Sequence, residues 1–403
     1  MRQVCLDQRA GVILKGLLIV TLSGCSPVSS RDQAMPPTLF PLGGPAPAVR
    51  SSGPIGWIVF ALCLVFGIGG CGRRLQQPQL ISGPPPNIAE LWQDPVDLEQ
   101  RDLFHGAGES RLAPRDTVFQ FVARDSSGWS PGFTVKDANG VEWSVKLGPE
   151  AQSEVVTSRV LWAIGFHQPP TYYVEPWSLM GAEGGAQPAG RFRPELPSQQ
   201  VVGEWSWYEN PFVGSQPYGG LVVANLLLNS WDWKASNNKI YELSEPVRGV
   251  KRWFVVRDLG ASLGRTTYPR LLKWFRLRGF GQGTRNDLPG FEEQGFIRSI
   301  DDRSRITFDY RGIYRDVINS VTPTDVRWTC QLLSRLSERQ WRDVFRAAEY
   351  DEQHATRYIR KIKEKIAQGL ALTTPRVLRM SGERGKPHAL RMPLTRSDEN
   401  SGR

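Results

Sequence analysis

Residues 230–260 read SWDWKASNNKIYELSEPVRGVKRWFVVRDLG, and the placement of two aspartates in that segment decides the fold. Asp232 directly follows an apolar run, Gly220 to Ser230, whose Leu221, Ala224 and Leu228 repeat at helical spacing. Asp258 follows the run Trp253 to Arg257 and precedes Leu259-Gly260. Between the two, Lys239 to Leu243 and Trp253 to Arg257 make a β-hairpin pattern. The segment therefore predicts helix, loop, hairpin and turn, with one carboxylate before the hairpin and one after it.

Upstream, Val118 to Ala123 and Gly132 to Val135 have strand character. Asn139-Gly140 is a two-residue hairpin signal between Phe133-Thr134-Val135 and Trp143-Ser144-Val145-Lys146. An ammonium at a strand end, such as Lys146, can neutralise phosphate oxygens as a point charge, although most lysines so placed are simply solvated. Pro149 can open a helix over Glu150 to Ile164, with Val156, Val160, Ala163 and Ile164 at helical spacing and Gly165 ending it. Thr171 to Val174 reads as a short strand, and Gly181 to Pro197 as a loose Gly/Pro stretch. Trp205, Trp207, Tyr208 and Phe212 cluster in one loop and read as packing rather than as a ligand platform. After Pro323 the pattern is helical to about Leu370, with Trp328, Leu332, Leu333, Leu336, Trp341, Val344 and Phe345 as core candidates.

With its motifs in this order, the chain resembles protein kinases and their relatives. Their catalytic loop carries an Asp, commonly a Lys two residues later, and an Asn five later, as Asp232, Lys234 and Asn237 do here. The resemblance implies that Asp232 accepts or orients the proton of an attacking hydroxyl and that Lys234 offsets phosphoryl charge. It implies that Asn237, with Asn238 as an alternative, reaches a metal. Asp258-Leu259-Gly260 matches the Asp-Phe-Gly motif, with Asp258 aimed at that metal and Gly260 permitting the turn. Lys146 would pair with a helix glutamate, Glu154 in preference to Glu150, and hold nucleotide phosphates. Gly128-Trp129-Ser130-Pro131-Gly132 is a partial match to the phosphate-covering G-x-G-x-x-G, so Gly128 and Gly132 are nominated there. The hinge would follow Tyr172-Tyr173-Val174-Glu175, with adenine pairing to backbone at Glu175. The implied fold is α+β and two-lobed: a small β-rich N-lobe with one helix and a larger, mainly helical C-lobe. ATP and Mg²⁺ or Mn²⁺ are the implied cofactors, and the phosphoacceptor is open: protein, lipid or small molecule.

Ser230-Trp231 replaces the usual His-Arg, and no Ala-Pro-Glu follows Asp258. The resemblance, over about Val118 to Asp258, is therefore to atypical relatives (HipA-like, phosphoinositide-kinase-like, secreted Fam20-like). The following stretch is basic and aromatic, with Arg265, Arg270, Lys273, Trp274, Phe275, Arg276 and Arg278. It suits an acidic substrate or anionic lipid head groups, or is merely a solvated helix.

The N-terminus reads as an address. Arg2, Arg9 and Lys15 precede an apolar run from Gly16, and Leu22-Ser23-Gly24-Cys25 resembles the lipobox of bacterial lipoproteins. A second run, Ile55 to Gly70, ends in Gly69-Gly70-Cys71. Either translation starts near Met35 and Cys71 is acylated, or cleavage falls at Cys25 and the second run is an anchor, short against the ~20 residues a span needs. A proline-rich tether follows, Leu75 to about Ile88. The expected organisation is an export signal (1–25), second apolar segment and tether (26–87), N-lobe (88–178), C-lobe (179–372) and basic disordered tail (373–403).

The 403 residues are 40% hydrophobic and 10% aromatic, enough for a core, which excludes wholesale disorder. The net charge of +10 comes without a nucleic-acid recognition motif, so no nucleic-acid partner is expected. His105, His167, His354 and His388 are scattered, which gives no support to Ser-His-Asp or Cys-His hydrolysis. With four of five cysteines in the address region, Cys330 has no partner for an internal disulfide and reads as a buried hydrophobe. A kinase-like binding module without catalysis, anchored at the cell envelope, is the competing class, because ATP is scarce outside the cytoplasm.

Overall fold

The computed structural model describes residues 87–125, 130–181, 184–266 and 283–372, all within one unit, Gln76–Arg403. Cys25, Cys71, the second apolar run, nearly all of the tether, the tail, Gly128 and the basic stretch 267–282 lie outside these residues. Among the described residues no helix is long and apolar enough to cross a membrane.

The first half is a seven-stranded sheet with one long helix. Strands β1 (Val118–Asp125), β2 (Gly132–Lys136) and β3 (Glu142–Leu147) form an antiparallel meander. The hairpin between β2 and β3 falls at Asn139-Gly140, but its loop runs over 137–141 and is longer than the two residues the sequence predicts; Gly140 sits at φ +81°, a conformation costly to residues with a Cβ. Helix α1 (Glu150–Ala163) follows, then β4 (Tyr172–Val174), β5 (Trp177–Met180), β6 (Gly185–Gln187) and β7 (Gly190–Pro194). The sheet order is β4-β7-β3-β2-β1-β5-β6.

Here the structure corrects three expectations. Residues 181–197 are not loose: they supply β6 and β7, and β7 inserts between β3 and β4. The chain leaves this sheet after Pro194, so a lobe boundary at 178 would cut β5 and falls some sixteen residues early. The connection onward therefore follows β7, the strand hydrogen-bonded to β3, and not Val174. Glu175 is exposed at the end of β4, an edge strand separated from β3 by β7, and the structure does not bring it to the other candidate residues.

Alternation along these strands divides the sheet into two chemically different faces. Phe133, Val135, Trp143, Val145 and Phe192 pack with Phe119, Tyr172, Trp177 and Leu179 in an aromatic cluster on one face. Ser144, Lys146, Arg191 and Arg193 alternate with them onto the other. Register fixes the pairs: Lys146 lies opposite both Gly132 and Arg191, and Ser144 opposite Arg193.

The second half mixes helices with small sheets. β8 (Gln199–Glu204) joins the hairpin of β9 (Asn238–Val247) and β10 (Val250–Val256) in the order β10-β9-β8. Helix α2 (Gln216–Leu227) is buried nearly throughout and leads into the Asp232 loop. Its start is fixed by Ser215, whose hydroxyl accepts from the Tyr218 amide. A short helix α3 (Leu288–Glu293), the ribbon β11 (Ile297–Ile300) and β12 (Ile306–Phe308), and α4 (Arg315–Asn319) follow. The region after Pro323 is helical as predicted: α5 (Pro323–Ser334), α6 (Glu338–Arg346) and α7 (Glu352–Leu370). Thr322 and Ser337 each form a reciprocal capping box, which is why the helices restart there. Trp205, Trp207 and Phe212 are core, as expected of packing residues, while Tyr208 is 45% exposed.

Candidate active site

Lys146 reaches off the polar face of β3 toward α1. Its Nζ lies 3.1 Å from Glu154 Oε2, 3.7 Å from Glu150 Oε2 and 3.0 Å from Asp258 Oδ1. Two glutamates of the adjoining helix and one aspartate more than a hundred residues on thus meet on one ammonium. The Glu154 side chain is 5% exposed, and its other oxygen lies 3.1 Å from Arg191 Nε and 3.7 Å from Arg193 Nη1. Those arginines come from β7, one directly opposite Lys146, so strand register builds the cluster. Both also donate to Ser144: Arg191 to its carbonyl at 2.9 Å, Arg193 to its hydroxyl at 3.4 Å.

Burial alone pushes the Glu154 carboxyl up, but Arg191 and then Lys146 outweigh it and hold the group below its ordinary value. The same contest runs at Asp258: burial raises it, and Lys146, Arg193, Arg257 and Arg191 together hold it well below the usual carboxylate range. Both folded-state values are depressed. Their stabilisation is therefore fully present above the unfolded-state values of about 4 and is lost as pH falls through the folded ones. We expect the melting temperature to fall steeply below about pH 4, and Glu154→Gln to flatten that acid limb. A pH series of thermal melts on both proteins checks this; identical limbs would contradict it.

Asp258 sits at φ +52°, and the turn after it is pressed against the N-terminus of α1. A Cβ on Gly260 would stand 2.5 Å from Glu150 Cβ and 2.8 Å from its carbonyl oxygen, so only glycine fits. The polar residues of α1 clamp the turn: Ser153 Oγ donates to the Gly260 carbonyl at 2.7 Å. Thr157 and Ser262 hydroxyls lie 2.8 Å apart, with Ser262 donating to Leu259 at 2.6 Å. Helix α1 is thus locked to the Asp258 turn along the face that carries Glu154.

The Asp232 loop adjoins the same hairpin. Asn237 is buried, and its side-chain amide donates to the Asp232 carbonyl at 2.8 Å, which leaves its Oδ1 as the acceptor atom. The Arg257 amide donates to the Asn237 carbonyl at 2.8 Å, and Val256 pairs with Asn238, so Asn237 and Asp258 share one end of the β9–β10 hairpin. Asn238 is fully buried and donates to Trp205, which makes Asn237 the better placed of the two amides. The Asp232 carboxylate pairs with Lys234 at 2.9 Å; the lysine is 65% exposed and the aspartate 22%.

The base of this loop rests on a buried lysine. Lys365 of α7 donates to the Leu227 carbonyl at 3.0 Å and Asn229 Oδ1 at 2.9 Å, over the ring of Phe291. Burial drives its ammonium well below the ordinary value. Asn229, at φ +54°, donates on to Gly264, and Leu263 to Leu228, which fastens the Asp232 loop to the chain after Asp258. Lys365→Met fills the same space without the donor and is expected to cost about 1–3 kcal/mol by urea denaturation. An unchanged midpoint would show that the donor holds nothing.

Of the residues nominated from sequence, the structure gathers Lys146, Glu154, Asp258 and, opposite Lys146, Gly132, with Asn237 and Asp232 on the adjoining loop. Glu150 is buried too, though its side chain is more exposed than that of Glu154 (11% against 5%), and it also touches Lys146. It receives Ser130 Oγ at 2.8 Å and Arg285 Nη1 at 2.8 Å. Arg191, Arg193, Arg257 and Arg285 were not foreseen. Arg191 and Arg193 lie in a Gly/Pro-rich context that reads as loop, and only their approach to a buried glutamate of the helix would have marked them.

The donor set fits a divalent cation shared with phosphates. One carboxylate and one amide oxygen are hard donors of the kind magnesium takes alongside phosphate oxygens. Among the described residues, no three His, Cys, Asp or Glu side chains gather into a self-sufficient metal site. Five cationic side chains, Lys146, Arg191, Arg193, Arg257 and Arg285, outnumber Glu150, Glu154 and Asp258, a surplus suited to a polyphosphate.

The chain matches no family model. It matches no curated protein. Among solved structures it is similar to a Helicobacter pylori proinflammatory kinase, CtkA, with 12% identity and a TM-score of 0.37 over 63% of this chain and 96% of that one. It is also similar to the Golgi casein kinase, at 10% identity and a TM-score of 0.31 over 63% of this chain and 73% of that one. At these TM-scores the likeness lends no weight to the reading of the site, which stands on the geometry above.

Proposed function

We propose that the protein is an atypical kinase-like phosphotransferase that uses ATP and Mg²⁺ or Mn²⁺. The observation that carries this is one ammonium, Lys146, bridging a helix glutamate and the aspartate of an Asp-Leu-Gly turn, with Asp232 and Asn237 one hairpin away. Lys146 and the surrounding guanidiniums bind and neutralise phosphates once the cluster opens to admit them, exchanging carboxylate partners for phosphate oxygens. Asp258 and Asn237 would hold the cation, which when bound neutralises charge developing on the phosphate oxygens. Asp232 accepts or orients the proton of the attacking hydroxyl, and Lys234 offsets charge beside it. Gly132, opposite Lys146, lets backbone come close to the phosphates. We place the protein at the cell envelope, outside the cytoplasm and lipid-anchored through Cys25 or Cys71, with the phosphoacceptor open.

One observation favours the second reading, an inactive kinase-like binding module. The cavity bounded by Glu154, Arg193, Arg257 and Asp258 holds about 10 Å³, room for a single water, so a nucleotide requires the cluster to open. Incubation of the full chain with γ-labelled ATP and Mn²⁺ tests the choice. Release or transfer of label that Asp232→Asn removes supports catalysis; no turnover with nucleotide bound supports the module.

A further inference from the structure

The geometry points to a second ligand site, for a small organic anion with a flat apolar body, on the face of the seven-stranded sheet opposite Lys146. A cavity of about 230 Å³ opens there between Arg111 and Arg115 on one side and Val141, Trp143, Pro194 and Leu196 on the other. Trp143 alternates with Ser144 and Lys146 along β3, so this cavity and the ion cluster lie on different sides of the sheet.

Its walls are held in place before any ligand arrives. The Asp137 carboxylate accepts from the amides of Asn139 and Val141, each at 2.9 Å, and from the Trp143 indole at 3.1 Å. Asp116 accepts from the Ala138 amide at 3.1 Å, tying the segment after Arg115 to the same turn. On the far side, the Glu195 amide donates to the Glu142 carbonyl at 2.8 Å and fixes Pro194 and Leu196 against β3.

The charges decide what fits. Asp137 is the anionic residue in the lining, and its oxygens already accept three hydrogen bonds, from the turn amides and the Trp143 indole. Arg111 and Arg115 are exposed and form no ion pair among the described residues, so the lining sets two guanidiniums against one carboxylate and is net positive. Guanidinium forks bind carboxylate or phosphate in bidentate fashion, while the indole and proline surfaces take an apolar ring. The volume lies below that of ordinary nucleotide or drug pockets and suits a one- or two-ring acid. Pro194 and Leu196 belong to the segment by which the chain leaves the sheet, so an occupant here touches that connection directly.

The test uses the full chain and 2-naphthoate as probe, with neutral 2-naphthamide as its isostere, read by saturation-transfer NMR titration. The site predicts naphthoate binding at least tenfold tighter than the amide, loss of that preference in Arg111→Ser/Arg115→Ser, and loss of both ligands in Leu196→Trp, which fills the cavity. It also predicts that Mg²⁺-ATP does not displace the probe. Equal affinity for acid and amide, undiminished naphthoate binding by the double arginine variant, or no binding of either probe at millimolar concentration would overturn it. Displacement by ATP would overturn it too, by placing the probe in the Lys146 cluster; the outcome is independent of whether that cluster is catalytic.

Discussion

Asp258→Ala is expected to lower metal-dependent nucleotide turnover by a factor of about 10² to 10³ or more while leaving the protein folded. The Asp258 side chain is about one-third exposed (34%), and Lys146 keeps Glu154 at 3.1 Å and Glu150 at 3.7 Å when Asp258 is removed. The lost carboxylate costs some stability, since Lys146, Arg193, Arg257 and Arg191 all favour its charge, but the ammonium it served retains two partners and the fold survives. What disappears is the charged oxygen donor at the hairpin end beside Asn237. Circular dichroism of a folded protein with a cooperative, somewhat lowered melt, together with lost turnover, is the paired result. Turnover within a few-fold of wild type would remove Asp258 from the proposed site.

Glu154→Ala is expected to do the reverse and strike stability first. Its side chain is 5% exposed and faces Lys146, Arg191 and Arg193, two of which have side chains no more than 7% exposed. Removing it leaves buried cations with Asp258 and Glu150 as their remaining counter-charges, and breaking a buried pair on one side costs about 3–5 kcal/mol. Against a typical total of about 5–15 kcal/mol, that shift brings the protein close to unfolding at 37 °C. Urea denaturation measures it. A loss below about 1 kcal/mol would mean that the cluster is not paired as described. The contrast between the two variants is the useful part: neighbouring carboxylates on one lysine, one mainly supporting chemistry and the other mainly supporting the fold.

Much of this arrangement was legible because its signals are local. Asn139-Gly140 declares the β2–β3 hairpin, which fixes where Lys146 ends up. The apolar run before Asp232 and the hairpin before Asp258 place both carboxylates at element ends, where side chains meet a cleft. Glu154 lies on the helix that Pro149 opens, and its pairing with Lys146 is what the kinase resemblance implies. The unread part is non-local. Gly190–Pro194 reads Gly-Arg-Phe-Arg-Pro, which by composition is a loop. It becomes an interior strand because Arg191 and Arg193 find Glu154 on the helix packed against the sheet, a pairing that no short window contains. Misplacing β7 also misplaced the exit from the sheet, and with it Glu175. The burial of Glu150 is non-local in the same way: it depends on Arg285, more than a hundred residues on, and on the close approach of Gly260.

The central claim is that the Lys146–Glu154–Asp258 cluster is a nucleotide phosphate site, and a thermal-shift measurement on the full chain tests it most directly. Millimolar ATP with Mg²⁺ or Mn²⁺ should raise the melting temperature by several degrees, because a ligand that binds only the folded state must stabilise it. The shift should vanish with EDTA and in Asp258→Ala. No shift in the wild-type protein at saturating nucleotide and metal, or an equal shift in Asp258→Ala, would contradict the account.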